Sequence, residues 1–156
     1  MPHSENPRYK ADLIMGERGE VFSHSLLEKS FGKLERTKYK YGRFDYSNDD
    51  YIIELKSRSC NHNAFDRDKG LMFNYSKIEK MKENKDKRET YFAFNCIDGI
   101  YYWKYDDETF SRGIGGRKDR GCVEMREMAY VLSKDMICLF KKPIPEPVCW
   151  LSDDDP

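Results

Sequence analysis

Residues 43–58, Arg-Phe-Asp-Tyr-Ser-Asn-Asp-Asp-Tyr-Ile-Ile-Glu-Leu-Lys-Ser-Arg, set charge where a strand should be apolar. Two short runs, aromatic and β-branched in character, flank the polar turn Ser47-Asn-Asp-Asp50, the pattern of a β-hairpin. Asp45, Glu54 and Lys56 stand inside it. A carboxylate within apolar strand sequence is costly to bury unless it is paired or put to use. Three charged residues in otherwise apolar strand sequence need a reason.

At 156 residues the chain is one domain, large enough for a core without disulfide staples. The aromatic content of 14% argues for a folded domain in spite of 36% charged residues. No apolar run approaches the ~20 residues of a membrane span, and the first residues lack a signal-peptide core. A soluble, intracellular protein (cytoplasm or nucleus) with no membrane partner is expected. The five cysteines (Cys60, Cys96, Cys122, Cys138 and Cys149) form no Cys-x-x-Cys pair, which suits reduced thiols. Cys60-Asn-His62 is a ligand-like pair without the second half of a zinc site. Net charge is zero, but basic residues cluster at Lys33–Arg43, Arg67–Arg88 and Arg112–Arg120. Such clusters suit a polyanionic partner, although solvated faces account equally for the middle one, where acids are interspersed.

Met15, Phe22 and Leu26 at helical spacing predict an amphipathic helix over residues 14–31, stopped by Gly32. Strands over 43–46 and 51–58 follow. Leu71, Tyr75, Ile78 and Met81 or Lys82 predict a second helix near residues 70–84. Tyr91–Ile97 and Ile100–Tyr105 read as a hairpin turning at Asp98-Gly99. Residues 112–121 are a loop rich in glycine and arginine, and strands near 122–132 and 136–140 close the core. The fold class is α+β, or mixed α/β with a largely antiparallel sheet. Residues 1–142 form the single domain, and 143–156 a flexible, proline-rich acidic tail.

A four-residue turn at 47–50 sets Tyr46 opposite Tyr51 and Asp45 opposite Ile52. Alternation then puts Asp45, Ile52, Glu54, Lys56 and Arg58 on one face, with Asp45 and Glu54 diagonal. At that spacing (Cβ atoms ~7–8 Å apart) two carboxylates can reach one hard cation, Mg²⁺ or Mn²⁺. Such an ion lowers the pKa of a bound water and neutralises charge on a phosphoryl transition state. Lys56 can orient that water, the Leu55 carbonyl can serve as a further ligand, and Arg58 can continue the row toward a neighbouring phosphate. Glu-x-Lys is weak alone, since Glu83-Asn-Lys85 matches it too; the plain alternative is an exposed charge pair on an amphipathic strand.

In this order of elements, residues 16–97 resemble the PD-(D/E)xK nuclease superfamily, also called restriction-endonuclease-like. Its core is a helix, an Asp-bearing strand, a turn, a (D/E)xK strand, a helix and a further strand, with a central mixed sheet. Asp45 matches the motif's aspartate, with Phe44 where the name has proline, and Glu54-Leu-Lys56 matches the second half. The resemblance implies a metal-dependent endodeoxyribonuclease, with Asp45, Glu54 and Lys56 catalytic. It implies a further metal-binding acid on the first helix, Glu20 or Glu17 of Gly16-Glu-Arg-Gly-Glu20. Glu54-Leu-Lys-Ser-Arg58 followed by Met72-Phe-Asn-Tyr-Ser-Lys-Ile78 is similar to small nuclease-like proteins of phages and large DNA viruses. That likeness nominates Asn74 and Lys77 on the second helix as contacts to the scissile phosphate.

Arg117, Lys118 and Arg120 of the 112–121 loop are candidate backbone contacts. Tyr101, Tyr102, Trp103 and Tyr105 suit hairpin packing better than base stacking, and His24 suits a structural role. The expected function is structure-directed or weakly specific DNA cleavage, with RNA open as a substrate and a homodimer as the assembly. The rival is a catalytically inactive nucleic-acid-binding protein on the same fold.

Overall fold

The computed structural model describes residue 7 and residues 22–37, 44–84, 87–117 and 124–143. Residues 22–31 form helix α1, which ends as expected at Gly32. There a φ of 82° suits glycine, and its N–H donates to the Glu28 carbonyl at 3.0 Å. The buried stripe is Ser23, Leu27 and Phe31, while Phe22 is 45% exposed. The stripe thus lies one residue, ~100°, round from the expected Phe22–Leu26 line.

Among the described residues, one sheet has six strands. They are β1 (Glu35–Arg36), β2 (Tyr46–Ser47), β3 (Tyr51–Ser57), β5 (Glu89–Cys96), β6 (Gly99–Lys104) and β9 (Ile137–Lys141), in the order β1-β2-β3-β5-β6-β9. Every neighbouring pair is antiparallel except β3–β5. A parallel pair needs a crossover. Here it runs through β4 (Leu71–Asn74) and helix α2 (Ser76–Asn84). A second sheet, β4-β8-β7, adds β7 (Ser111–Arg117) and β8 (Glu124–Val131). The architecture is α+β with a mostly sheet core.

Alternation along β3 splits the interior in two. Ile53 and Leu55, with Tyr46, Tyr91 and Ala93, pack under Leu27 and Phe31 of α1. On the other side Phe92, Phe94 and Trp103 meet Phe73 of β4, Ile78 of α2 and Ala129 of β8. The aromatic hairpin is packing, as its composition suggests: Trp103 is 1% exposed and donates Nε1–H to Thr109 Oγ1 at 2.8 Å.

Three local expectations are corrected. Residues 71–74 are strand, not the first turn of a helix; Leu71 and Phe73 are buried and alternate with half-exposed Met72 and Asn74, pairing with β8. Residues 111–117 are strand, not loop. Glycine is required there because the Tyr130 side chain crosses β7: a Cβ at Gly115 would sit 2.3 Å from Tyr130 Oη. The β5–β6 turn is Ile97-Asp98, with Gly99 already opening β6. A Cβ at Gly99 would meet the Phe140 carbonyl at 2.4 Å. The tail from residue 144 and residues 118–123 lie outside the described residues.

Gly70 has φ 102°, and a Cβ there would stand 2.1 Å from the Val131 carbonyl oxygen. Both backbone strain and a backbone clash oppose any side chain. Gly70→Ala is expected to cost about 3 kcal/mol in urea unfolding with the m-value unchanged.

Candidate active site

The β2–β3 hairpin turns more tightly than expected. Tyr46 pairs with Ile53 and Ser47 with Ile52, and the Asn48 N–H donates to the Tyr51 carbonyl at 3.0 Å. The register differs by two residues from the expected one, so every side chain keeps its face. Continuing it by one residue sets Asp45 directly opposite Glu54 rather than diagonal to it.

Asp45 sits just beyond the β2 ladder and is half-buried. The Leu55 N–H, which a regular ladder would direct to the Phe44 carbonyl, donates instead to Asp45 Oδ2 at 2.8 Å. The Phe44 carbonyl accepts the Thr37 hydroxyl. Asp45 thus closes the strand pair with its side chain and is held by the backbone of the strand that carries Glu54.

Glu54 is 2% exposed, the most buried acid among the described residues. Its strand neighbour in β5 is Phe92, so the carboxylate stands on the side of the sheet that α2 covers. Lys56, two residues on, brings Nζ to 3.1 Å from Glu54 Oε2. Lys77, in the first turn of α2, brings Nζ to 3.4 Å from Oε1. That second contact is an ion pair without hydrogen-bond alignment, and among the described residues Oε1 has no hydrogen-bond donor. A buried carboxylate oxygen without a donor is uncommon and calls for an occupant or a task. The Lys77 ammonium also lies 5.8 Å from the centre of the Phe44 ring.

Lys56 and Lys77 thus meet at the Glu54 carboxylate, while Asp45 is held at the Leu55 N–H of the same strand. Leu55 turns its side chain into the α1-side core, leaving only its backbone toward the pair. Arg58 is placed differently: its guanidinium donates to the Met72 carbonyl at 2.7 Å and to the Ser57 carbonyl at 3.0 Å, tying the end of β3 to β4. Asn74 closes β4 rather than riding on α2, and its Oδ1 accepts the Ser76 N–H at 3.0 Å, turning the chain into the helix. Arg117 is the last residue of β7. Glu17, Glu20, Lys118 and Arg120 lie outside the described residues. Among the described residues no three His, Cys, Asp or Glu side chains meet as a metal group.

Sequence reading passed over Asn48 and Asp98. Asn48 Oδ1 accepts from Asp50 N and Tyr51 N at 2.9 Å, and Nδ2 donates to the Phe31 carbonyl at 2.9 Å. One side chain thus sets the hairpin turn and caps the end of α1; Asn in a polar turn was the available signal. Asp98 takes His62, whose Nδ1 is 2.5 Å from Oδ2 and whose N–H donates to Oδ1 at 2.9 Å. The His62 ring stacks on Tyr101 with centroids 3.8 Å apart. Burial opposes the charge of Asp98, yet the bonds from His62 prevail and hold its carboxyl below the usual range. Burial pushes the Cys96 thiol up to about 12 and raises that of Cys60. His24 is structural, its Nε2 3.2 Å from the Leu34 carbonyl and its ring against Tyr46.

No protein-family model matches the chain, and no curated protein does.

Two outcomes follow from this geometry. Asp45→Ala leaves the Leu55 N–H without an acceptor and should cost about 1–3 kcal/mol in denaturant unfolding, whereas Asp45→Asn, which keeps an acceptor, should cost much less. A depressed carboxyl pKa adds stability above the unfolded value of ~3.9 that is lost as pH falls through the folded value. His62→Ala should therefore move the midpoint of acid unfolding, followed by circular dichroism, to higher pH.

Proposed function

We propose that this chain is a metal-dependent nuclease with a restriction-endonuclease-like core that hydrolyses phosphodiester bonds in DNA. One observation carries the reading: a carboxylate 2% exposed, with one oxygen lacking an aligned donor among the described residues, is flanked by two lysines on a strand whose next backbone N–H is held by the carboxylate of Asp45. A purely structural carboxylate would have its oxygens satisfied. The order of elements supports the same reading: α1, the Asp45 hairpin arm, the Glu-Leu-Lys strand, α2, and β5 parallel to β3.

The donor set fits a hard divalent cation, Mg²⁺ or Mn²⁺. Asp45 and Glu54 would hold it, with the Leu55 carbonyl, and Glu20 as the helix acid. Bound there, the ion supplies a water of lowered pKa and charge neutralisation at the phosphate. The Lys56 and Lys77 ammonium groups both lie on the Glu54 carboxylate, so its negative charge is already compensated. A cation and a phosphodiester therefore bring mutually compensating charge. Lys56 is 31% exposed at its side chain and positions the attacking water. Lys77, fixed by α2, presents its ammonium to a non-bridging oxygen of the scissile phosphate. Structure-directed or weakly specific cleavage of the junction or repair type is the proposed mode. A homodimer is the assembly that would cut both strands, and the likeness to phage and large-DNA-virus proteins fits this class.

The inactive-binder reading is favoured by the same lysines, since they already compensate Glu54 without a metal. Cleavage assays separate the two. Supercoiled, single-stranded and branched DNA are incubated with Mg²⁺, Mn²⁺ or EDTA. Nicking that needs metal, and that falls about 10²-fold or more in Glu54→Ala and Lys56→Ala, is the expected outcome. Binding without cleavage under either metal establishes the binder, and nicking indifferent to both substitutions removes this site.

A further inference from the structure

The two cations on Glu54 are held unequally. Lys56 rises from the same strand, and its Nζ stands 3.1 Å from Oε2. Lys77 comes from the first turn of α2, and its Nζ stands 3.4 Å from Oε1 without hydrogen-bond alignment. A charge-assisted N–H···O bond is ordinarily ~2.7–2.9 Å long, so the Lys77 contact is loose even though Oε1 is buried. The Phe44 ring centre lies 5.8 Å from the same ammonium, within reach of a cation–π attraction. The Lys77 side chain is 18% exposed where that of Glu54 is 3%, so of the two groups it is the lysine that reaches solvent.

A buried carboxylate oxygen needs a counter-charge, and Lys77 supplies one without claiming the lone pairs of Oε1. A divalent ion, by contrast, bonds a carboxylate oxygen directly, at about 2.1 Å. Bringing one to Oε1 with both ammonium groups in place would set three cations on one carboxylate. The ammonium with the poorer contact is the one to leave. Its four-carbon stem is rooted in a helix, so the head can swing away with no change in the backbone. A lysine serving structure alone would close on Oε1 as Lys56 closes on Oε2.

We propose that Lys77 is a built-in counter-cation of Glu54, displaced when a divalent metal ion binds and then taken up by the substrate phosphate. The proposal rests on the nuclease reading above and adds how that site is regulated. Lys77 stabilises the metal-free carboxylate and weakens its hold on metal. Its departure delivers a cation to DNA, so metal and DNA each tighten the binding of the other, as linkage requires.

The test is calorimetric titration with Mn²⁺, with thermal unfolding in EDTA and in saturating Mn²⁺, on wild type, Lys77→Met, Lys77→Arg and Glu54→Gln. Lys77→Met keeps the stem and drops the charge; it should bind Mn²⁺ about tenfold more tightly than wild type. It should melt below wild type in EDTA and recover most of that loss in Mn²⁺. Lys77→Arg, whose fork can bond Oε1 directly, should bind Mn²⁺ more weakly than wild type, and this result decides the matter should Lys77→Met not fold. Glu54→Gln should abolish Mn²⁺ binding. A fluorescein-labelled 20-base-pair DNA duplex is also titrated in EDTA and in Ca²⁺, another hard ion for carboxylates. Ca²⁺ should tighten its binding several-fold to wild type and by less to Lys77→Met. Mn²⁺ affinity that no Lys77 variant alters, yet Glu54→Gln removes, overturns the displacement and spares the metal site. An equal Ca²⁺ effect in wild type and Lys77→Met overturns the transfer to phosphate. Mn²⁺ binding that persists in Glu54→Gln puts the ion elsewhere and overturns the proposal. No Mn²⁺ binding by any of the four, with no metal-dependent cleavage, removes the nuclease reading and this one with it.

Discussion

Burying the carboxylate of Glu54 is the constraint around which the site is arranged. An isolated charge in a protein interior costs several kcal/mol after relaxation, and strong compensation is needed to keep it there. One lysine from the same strand does not complete it, and the second comes from α2. For Lys77 to arrive, the chain must leave β3, run through β4 and start a helix over the sheet's far face. β5 then pairs parallel to β3 at the end of that crossover. The Arg58–Met72 and Asn74–Ser76 bonds hold the two corners of that path. Two of the candidate contact residues, Arg58 and Asn74, thus fix the route that delivers Lys77.

Much of this was legible in the residues, and the failures have definite causes. Hairpin parity holds because residues keep their faces under any even shift, so a turn two residues tighter than expected changes which residue each one opposes and not the side it faces. The helix ending at Gly32 and the aromatic hairpin were equally clear. Leu71–Asn74 was misread because four residues with two buried positions fit the start of a helix as well as a strand; only pairing with β8, more than fifty residues away in sequence, decides it. Ser111–Arg117 was misread because glycine signals turns, whereas here it yields to a tyrosine from the adjacent strand. The bonds of Arg58 to the Ser57 and Met72 carbonyls were not legible, because alternation gives the face of a side chain but not the carbonyls within its reach.

The sheet also separates two kinds of packing. The α1 side is dense in rings, with Phe31 within 5.2 Å of Tyr51, Tyr91 and Tyr102, and it contributes the rigid back of the hairpin. Asn48 joins that back to the turn, since it bonds α1's last carbonyl and its own strand entry together. Through that residue the geometry of the hairpin turn is coupled to the seating of the first helix. The other side carries the charged cluster at the margin of its apolar core, where the α2 lysine can still reach water.

The Tyr130 side chain lying across Gly113 and Gly115 has a further consequence for the strand it covers. Glycine in a strand normally brings backbone freedom that must be lost again whenever the strand meets a partner. A ring laid over the bare backbone removes that freedom in advance, because motion of β7 would displace the tyrosine and Met72 beside it. A strand held in this way has little backbone freedom left to lose, so its ladder with β8 keeps more of its hydrogen-bond energy as stability than a glycine-rich strand ordinarily would.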